Sequence, residues 1–158
     1  MSTASTPVLP RIQLALNVPD LDAAIAFYNG VFQAEPAKVR AGYANYALTD
    51  PPLKLVLIEN PDANERLNHL GVEVATSEDV VAHTRRLGET MPIRLEEGTE
   101  CCYALQDKVW VSGPDRTEWE FYTVLADAPA MNCATPGDAG ATVCCAATPG
   151  ATDKASCC

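Results

Sequence analysis

Ile12-Gln13-Leu14-Ala15-Leu16-Asn17-Val18 and Asn68-His69-Leu70-Gly71-Val72-Glu73-Val74 are the two stretches on which the fold turns. Both alternate in the manner of a half-buried strand. The second begins 56 residues after the first, and Gln13 and His69 hold equivalent positions in the two copies. A helix is expected after each. Asp20 can cap the first, whose apolar face is Leu21, Ile25, Tyr28 and Phe32. Ser77 is the expected cap of the second, with Glu78 and Asp79 in its first turn. Val80, Val81, Thr84 and Leu87 should face inward there, Arg85 and Arg86 lie near the C-terminus, and Gly88 ends the helix.

Three short strands follow each helix. Residues 45–48 match 102–105, and residues 53–59 match 118–124. Each copy is therefore βαβββ, spanning about 11–59 and 68–124. A unit of roughly 50 residues cannot bury both faces of its own sheet, so the two must pair. The expected class is α+β, with two paired βαβββ modules forming a curved mixed sheet around a cleft.

The 158-residue chain suits one domain with an appendage. Residues 126–158 hold ten Ala and five Cys but no aromatic, Leu or Ile, so they read as a flexible Cys-rich tail. Residues 1–10 read as a disordered lead, leaving 11–125 as the folded unit. A net charge of −10 with no basic stripe argues against nucleic acid and anionic membranes as partners. No apolar run approaches the ~20 residues that span a bilayer, and the first residues lack a secretory pattern. The expected location is the cytoplasm.

Six of the seven cysteines form adjacent pairs: Cys101-Cys102, Cys144-Cys145 and Cys157-Cys158. In a reducing compartment such thiols suit soft metals or thiolate chemistry. Cys101-Cys102 lies at the entry to a strand of the second module, where adjacent side chains point to opposite faces. Chelation by both thiols therefore requires an irregular backbone there; otherwise the pair are two small buried hydrophobes. On the closing strand Glu118, Glu120 and Tyr122 share one face. Gln13, His69 and Glu120 together offer an amide oxygen, an imidazole and a carboxylate, a set with open positions of the kind non-haem iron uses. On spacing alone, a lone strand histidine is more often a hydrogen-bonded core residue. His83, mid-helix, reads as a surface-edge residue.

The openings Val18-Pro19-Asp20-Leu21 with Ala26-Phe27-Tyr28, together with the Gly-Pro-Asp…Trp-Glu-Phe-Tyr close, resemble the vicinal oxygen chelate superfamily over nearly all of 11–125. That resemblance implies metal ligands at Gln13, His69 and Glu120. Relatives of the glyoxalase I kind add a fourth ligand on the last strand of module one. Here that strand shows leucines at the matching positions, with Glu59 as a displaced candidate. Three ligands fit the dioxygenase branch better.

The stretches 41–47, 51–57 and Cys101-Cys102-Tyr103-Ala104-Leu105-Gln106-Asp107-Lys108-Val109-Trp110-Val111 are similar to ArsI-type organoarsenical carbon–arsenic lyases and to CadI-type proteins. The resemblance implies an Fe(II)- and dioxygen-dependent enzyme cleaving trivalent methyl or aromatic arsenicals to arsenite, with Cys101 and Cys102 binding arsenic. Alternatives are a resistance protein that sequesters soft metal or arsenic without turnover, and another enzyme of the superfamily such as a glyoxalase-type isomerase. Substrate preference, the role of the tail cysteines, a homodimer, and module exchange between chains stay open.

Overall fold

The computed structural model describes residues 9–131. Alternation at residues 11–18 yields β1 (Arg11–Val18), followed by α1 (Leu21–Phe32), β2 (Lys38–Arg40), β3 (Tyr43–Thr49) and β4 (Pro52–Glu59). The second copy supplies β5 (Leu67–Glu73), α2 (Ser77–Gly88), β6 (Arg94–Cys101), β7 (Ala104–Ser112) and β8 (Glu118–Asp127). Two βαβββ modules are thus present, and they join into one mixed sheet of order β2-β3-β4-β1-β5-β8-β7-β6. The seam is the antiparallel pair β1–β5, within a single chain.

Period-two alternation sorts the strand residues between a helix-covered face and an open one. On the covered face Tyr46, Leu55 and Leu57 pack with Leu21, Ile25, Tyr28 and Phe32 of α1. Val80 and Leu87 of α2 pack with Val109 and Phe121. At roughly 1.5–3 kcal/mol for each fully buried large apolar side chain, these two clusters hold the helices to the sheet.

Asp20 caps α1 as expected, accepting from Ala23 N at 2.8 Å. For α2 the cap is Thr76 rather than Ser77, since Thr76 and Asp79 satisfy each other's backbone N–H in a reciprocal capping box. Val81 is exposed instead of inward-facing, because Val80 and Leu87 already fill the contact stripe.

The folded unit runs past Leu125, where the composition changes. β8 continues to Asp127, Ala128 is buried, and Met131 packs on a core cluster containing Cys101 and Cys102. Tyr103 ties this segment down: its N–H donates to Ala130 O and its carbonyl accepts from Ala128 N. Residues 126–131 therefore belong to the domain, while the rest of the expected tail and most of the expected lead lie outside the described residues.

Candidate functional site

Strand register brings the three expected ligands to one point on the open face. Gln13 lies opposite Gly71 across β1–β5, and Gly71 lies opposite Glu120 across β5–β8. His69 is two residues before Gly71, on the same face. Gln13 Nε2 stands 3.0 Å from His69 Nε2 and 2.6 Å from Glu120 Oε1, and His69 Nε2 stands 3.3 Å from that oxygen. All three residues are buried. Gly71 makes the convergence sterically feasible: a Cβ there would sit 3.0 Å from Glu120 Cγ and 3.2 Å from Gln13 Nε2.

Further contacts orient each group. His69 Nδ1 is 2.7 Å from Asn68 Oδ1, a pairing that places the proton on Nδ1 and turns the Nε2 lone pair toward the triad. Asn68 in turn donates to Asn17 Oδ1. Tyr122 Oη donates to Gln13 Oε1 at 2.5 Å. Lys108, fully buried, donates to Glu120 Oε2 at 2.9 Å.

Burial alone would raise the Glu120 carboxyl, but the Lys108 ammonium outweighs it and holds the group well below the usual carboxylate range. Burial likewise pulls Lys108 down, and the Glu120 carboxylate more than reverses this. Both groups are therefore charged at neutral pH.

The triad opens into a cavity of about 200 Å³ whose lining includes Gln13, Glu120, Cys102, Lys54 and Arg11. Cys101 ends β6 opposite Ala104, so β6 and β7 are joined by the two-residue loop Cys102-Tyr103. Both loop residues are left-handed, with φ of 51° and 61°. Hairpin turns of this hand normally use Asn-Gly, and each non-glycine residue here costs roughly 1–2 kcal/mol. This is the irregular backbone that sequence reasoning required, and it brings Cys101 Sγ within 3.6 Å of Cys102 Sγ. Both cysteines are buried. Cys101 is held in a disulfide, so chelation by two thiolates requires its reduction.

The last strand of module one differs from expectation by one residue, and a one-residue slip reverses every side chain. Leu55 and Leu57 face α1. Because Lys54 lies opposite Gln13, the cavity-facing positions are Lys54 and Val56. Glu59 is directed to the helix side, where its Oε1 accepts from Leu21 N at 3.1 Å, so it caps α1 and is no fourth ligand. His83 is partly exposed on α2, its ring centroid 4.5 Å from that of Phe121. The cysteines beyond residue 131 lie outside the described residues.

Residues 11–121 match the Glyoxalase/Bleomycin resistance protein/Dioxygenase superfamily. The chain belongs to this superfamily. Among curated members, cadmium-induced protein CadI of Mycobacterium tuberculosis is 54% identical over 87% of this chain and 93% of its own length. The trivalent organoarsenical cleaving enzyme of Thermomonospora curvata is 49% identical over 95% of this chain and 100% of its own length. Among solved superfamily folds, methylmalonyl-CoA epimerase of Streptomyces coelicolor, in complex with 2-nitronate-propionyl-CoA, aligns with a TM-score of 0.51 and 19% identity. That alignment covers 75% of this chain and 99% of the epimerase.

Metals are common in this superfamily, and the triad's chemistry fits one. Adjacent ligands of an octahedral cation with bonds of about 2.1 Å lie about 3.0 Å apart, and the three contacts here span 2.6 to 3.3 Å. The glycine cradle leaves that point uncrowded. Among the described residues no three His, Cys, Asp or Glu side chains form a metal-holding group. The third donor is an amide, whose oxygen and nitrogen exchange places by a simple flip. Sequence reasoning put Tyr122 on the face of Glu120 without giving it a role, and gave none to Asn68, Gly71 or Lys108. Lys108 had left a signal: it falls in the parity of Gln106 and Trp110, the inward-facing set of β7.

Proposed function

We propose that this chain cleaves the carbon–arsenic bond of trivalent organoarsenicals, methyl or aromatic, and releases arsenite. In this reading Gln13, His69 and Glu120 hold Fe(II), while reduced Cys101 and Cys102 hold the arsenic. The observation that carries it is the shared cavity: Gln13 and Glu120 line the same space as Cys102. Relatives named as trivalent organoarsenical cleaving enzymes, 49% and 38% identical, supply the substrate class.

His69 presents the Nε2 lone pair because Asn68 takes its other proton. Glu120 stays ionised beside Lys108. With its amide flipped, Gln13 offers Oε1 inward and donates Nε2–H to Tyr122 Oη, which lies in reach of that amide. Iron(II), when bound, supplies the electrons that dioxygen chemistry requires and that Zn²⁺ cannot give. The strained Cys102-Tyr103 loop fixes Cys102 on the wall of the cavity that Gln13 and Glu120 also line, so an arsenical bound there would be held close to the triad, a proximity effect. Val56 and Lys54 line the wall where a fourth protein ligand would stand, so the open positions remain available to small molecules. The reading needs both thiols reduced, the state that a cytoplasm's reducing conditions maintain, and a cytoplasmic location is part of the proposal.

The test uses reduced full-length protein loaded anaerobically with Fe(II) and given methylarsenite. Arsenite should appear on admission of air and not with Zn²⁺. Equal release under strict anaerobiosis overturns the oxygen-dependent mechanism. Cys101→Ser and Cys102→Ser should each lose arsenical binding while keeping Fe(II). Tight retention of arsenical with no arsenite in air favours a sequestering protein.

A further inference from the structure

The cavity wall away from the triad carries an unusual charge arrangement. Arg11 and Lys54, on adjacent strands, both turn toward Glu73. Arg11 Nε donates to Glu73 Oε2 at 2.6 Å. Lys54 Nζ lies 3.6 Å from Glu73 Oε1, and 5.4 Å from the Tyr122 ring centroid. One carboxylate therefore faces two cations. Arg11 Nη1 is buried with no hydrogen-bond partner among the described residues, although its side chain is 4% exposed. A buried charged donor left unpaired is destabilising, so an acceptor belongs there.

The other charges of the cavity do not supply it. Glu120 is neutralised by Lys108 from behind. Lys38, at the rim, pairs with Asp127. One positive charge therefore remains on the wall of a chain whose net charge is −10. In a chain this acidic, a local excess of positive charge on a cavity wall marks a place where an anion is held at short range.

We infer that Arg11 and Lys54 form an anion-holding subsite, and that it selects aryl arsenicals whose ring bears an acidic substituent such as a carboxylate. This deepens the organoarsenical reading and rests on it. Arg11 is two residues from Gln13 on β1, roughly 6.6 Å along a strand, about the reach of a para-substituted phenyl group. The cavity of about 200 Å³ exceeds the ~150 Å³ that accommodates benzene. The arsenic end would sit with the thiols and the acidic end with the guanidinium and ammonium, which are the charge-assisted donors a carboxylate prefers.

Two measurements separate this subsite from the lyase reading. The first is binding of benzoate and benzamide to reduced, metal-free, full-length protein by titration calorimetry. Benzoate should bind about tenfold more tightly than benzamide, the ratio expected of a charge-assisted hydrogen bond. In Lys54→Met the two should bind within about twofold of each other, and Lys54→Arg should restore the preference. Circular dichroism identifies variants that remain folded, and Arg11→Gln provides a second removal of charge. The second measurement is the ratio of kcat/KM for 4-carboxyphenylarsenite over phenylarsenite, expected near tenfold and lost in Lys54→Met. Equal binding of benzoate and benzamide to the wild type overturns the subsite even where phenylarsenite is cleaved. Preference for benzoate with neither arsenical cleaved supports the subsite and overturns the lyase reading.

Discussion

Replacing Lys108 by methionine tests the electrostatic core of the site. Lys108 is fully buried and its Nζ sits 2.9 Å from Glu120 Oε2. Removing one member of a buried ion pair strands the other charge and costs about 3–5 kcal/mol. For a domain of this size each kcal/mol lowers Tm by about 4 °C, so the metal-free variant should melt roughly 12–20 °C lower. Glu120 also loses the strongest influence holding its carboxyl down, while the burial that raises it persists. Its carboxylate becomes harder to form, and divalent-metal affinity should fall about 10–100-fold, the range seen when a ligand's orienting partner is removed. The assay is thermal and urea unfolding in chelator, with metal titration alongside. The double variant Lys108→Met/Glu120→Gln discards both charges and should recover most of the lost stability. A single variant destabilised by less than about 1 kcal/mol, or a double variant no better than the single, would refute the buried-pair account.

Gly71→Ala places a methyl 3.0 Å from Glu120 Cγ and should weaken divalent-metal binding at least tenfold, at a stability cost of about 1–3 kcal/mol. Unchanged metal affinity, read by titration, would show that the triad has room to spare. Acid stability follows from Glu120. Its carboxyl lies below the ordinary 4.5 in the fold, so as pH falls the unfolded chain takes up that proton first. The contribution is complete above about pH 4.5 and is lost as pH drops toward the folded value. Metal-free Glu120→Gln should therefore lose stability less steeply below pH 4.5, and equal slopes in urea unfolding would contradict this. A chain stopped after Leu125 should melt well below one stopped after Met131, because it lacks Ala128 and both backbone bonds to Tyr103. Equal melting temperatures would return the domain boundary to Leu125.

Much of the architecture was legible because it depends on repetition. Two copies of one pattern place Gln13 and His69 equivalently whatever the exact register, and alternation alone puts Glu120 and Tyr122 on one face. Register itself was less legible. Along residues 53–59 nearly every side chain is apolar apart from Lys54 and Glu59, so alternation offers no clear choice of face. The leucines were assigned to the cavity, whereas Lys54 faces it. Pairing with β1 decides the matter, through a contact between residues about 40 apart in sequence. The cap of α2 failed for a related reason: Thr76 and Ser77 are both good caps, and the reciprocal bond with Asp79 selects the first. Gly71 could not be singled out, since its value lies in what stands on the strands to either side.

The position of the site at the module seam gives the repeat a chemical purpose. Gln13 comes from the first module, His69 and Glu120 from the second, so neither module alone presents three donors. The backbone ladder between β1 and β5 sets their separation, and Gly71 on β5 permits the close approach. Buried polar groups at such a seam would weaken it if left unmatched. Here each is answered by a neighbour: Asn68 for His69, Tyr122 for Gln13 and Lys108 for Glu120. The polar triad is thus tolerated in the centre of the sheet before any ligand arrives. Arg11 lies on the same seam strand but keeps one donor unanswered. The contrast sets a satisfied, preorganised centre beside a wall that still has a hydrogen bond to give. Under the organoarsenical reading proposed above, the wall is where differences among substrates would be read.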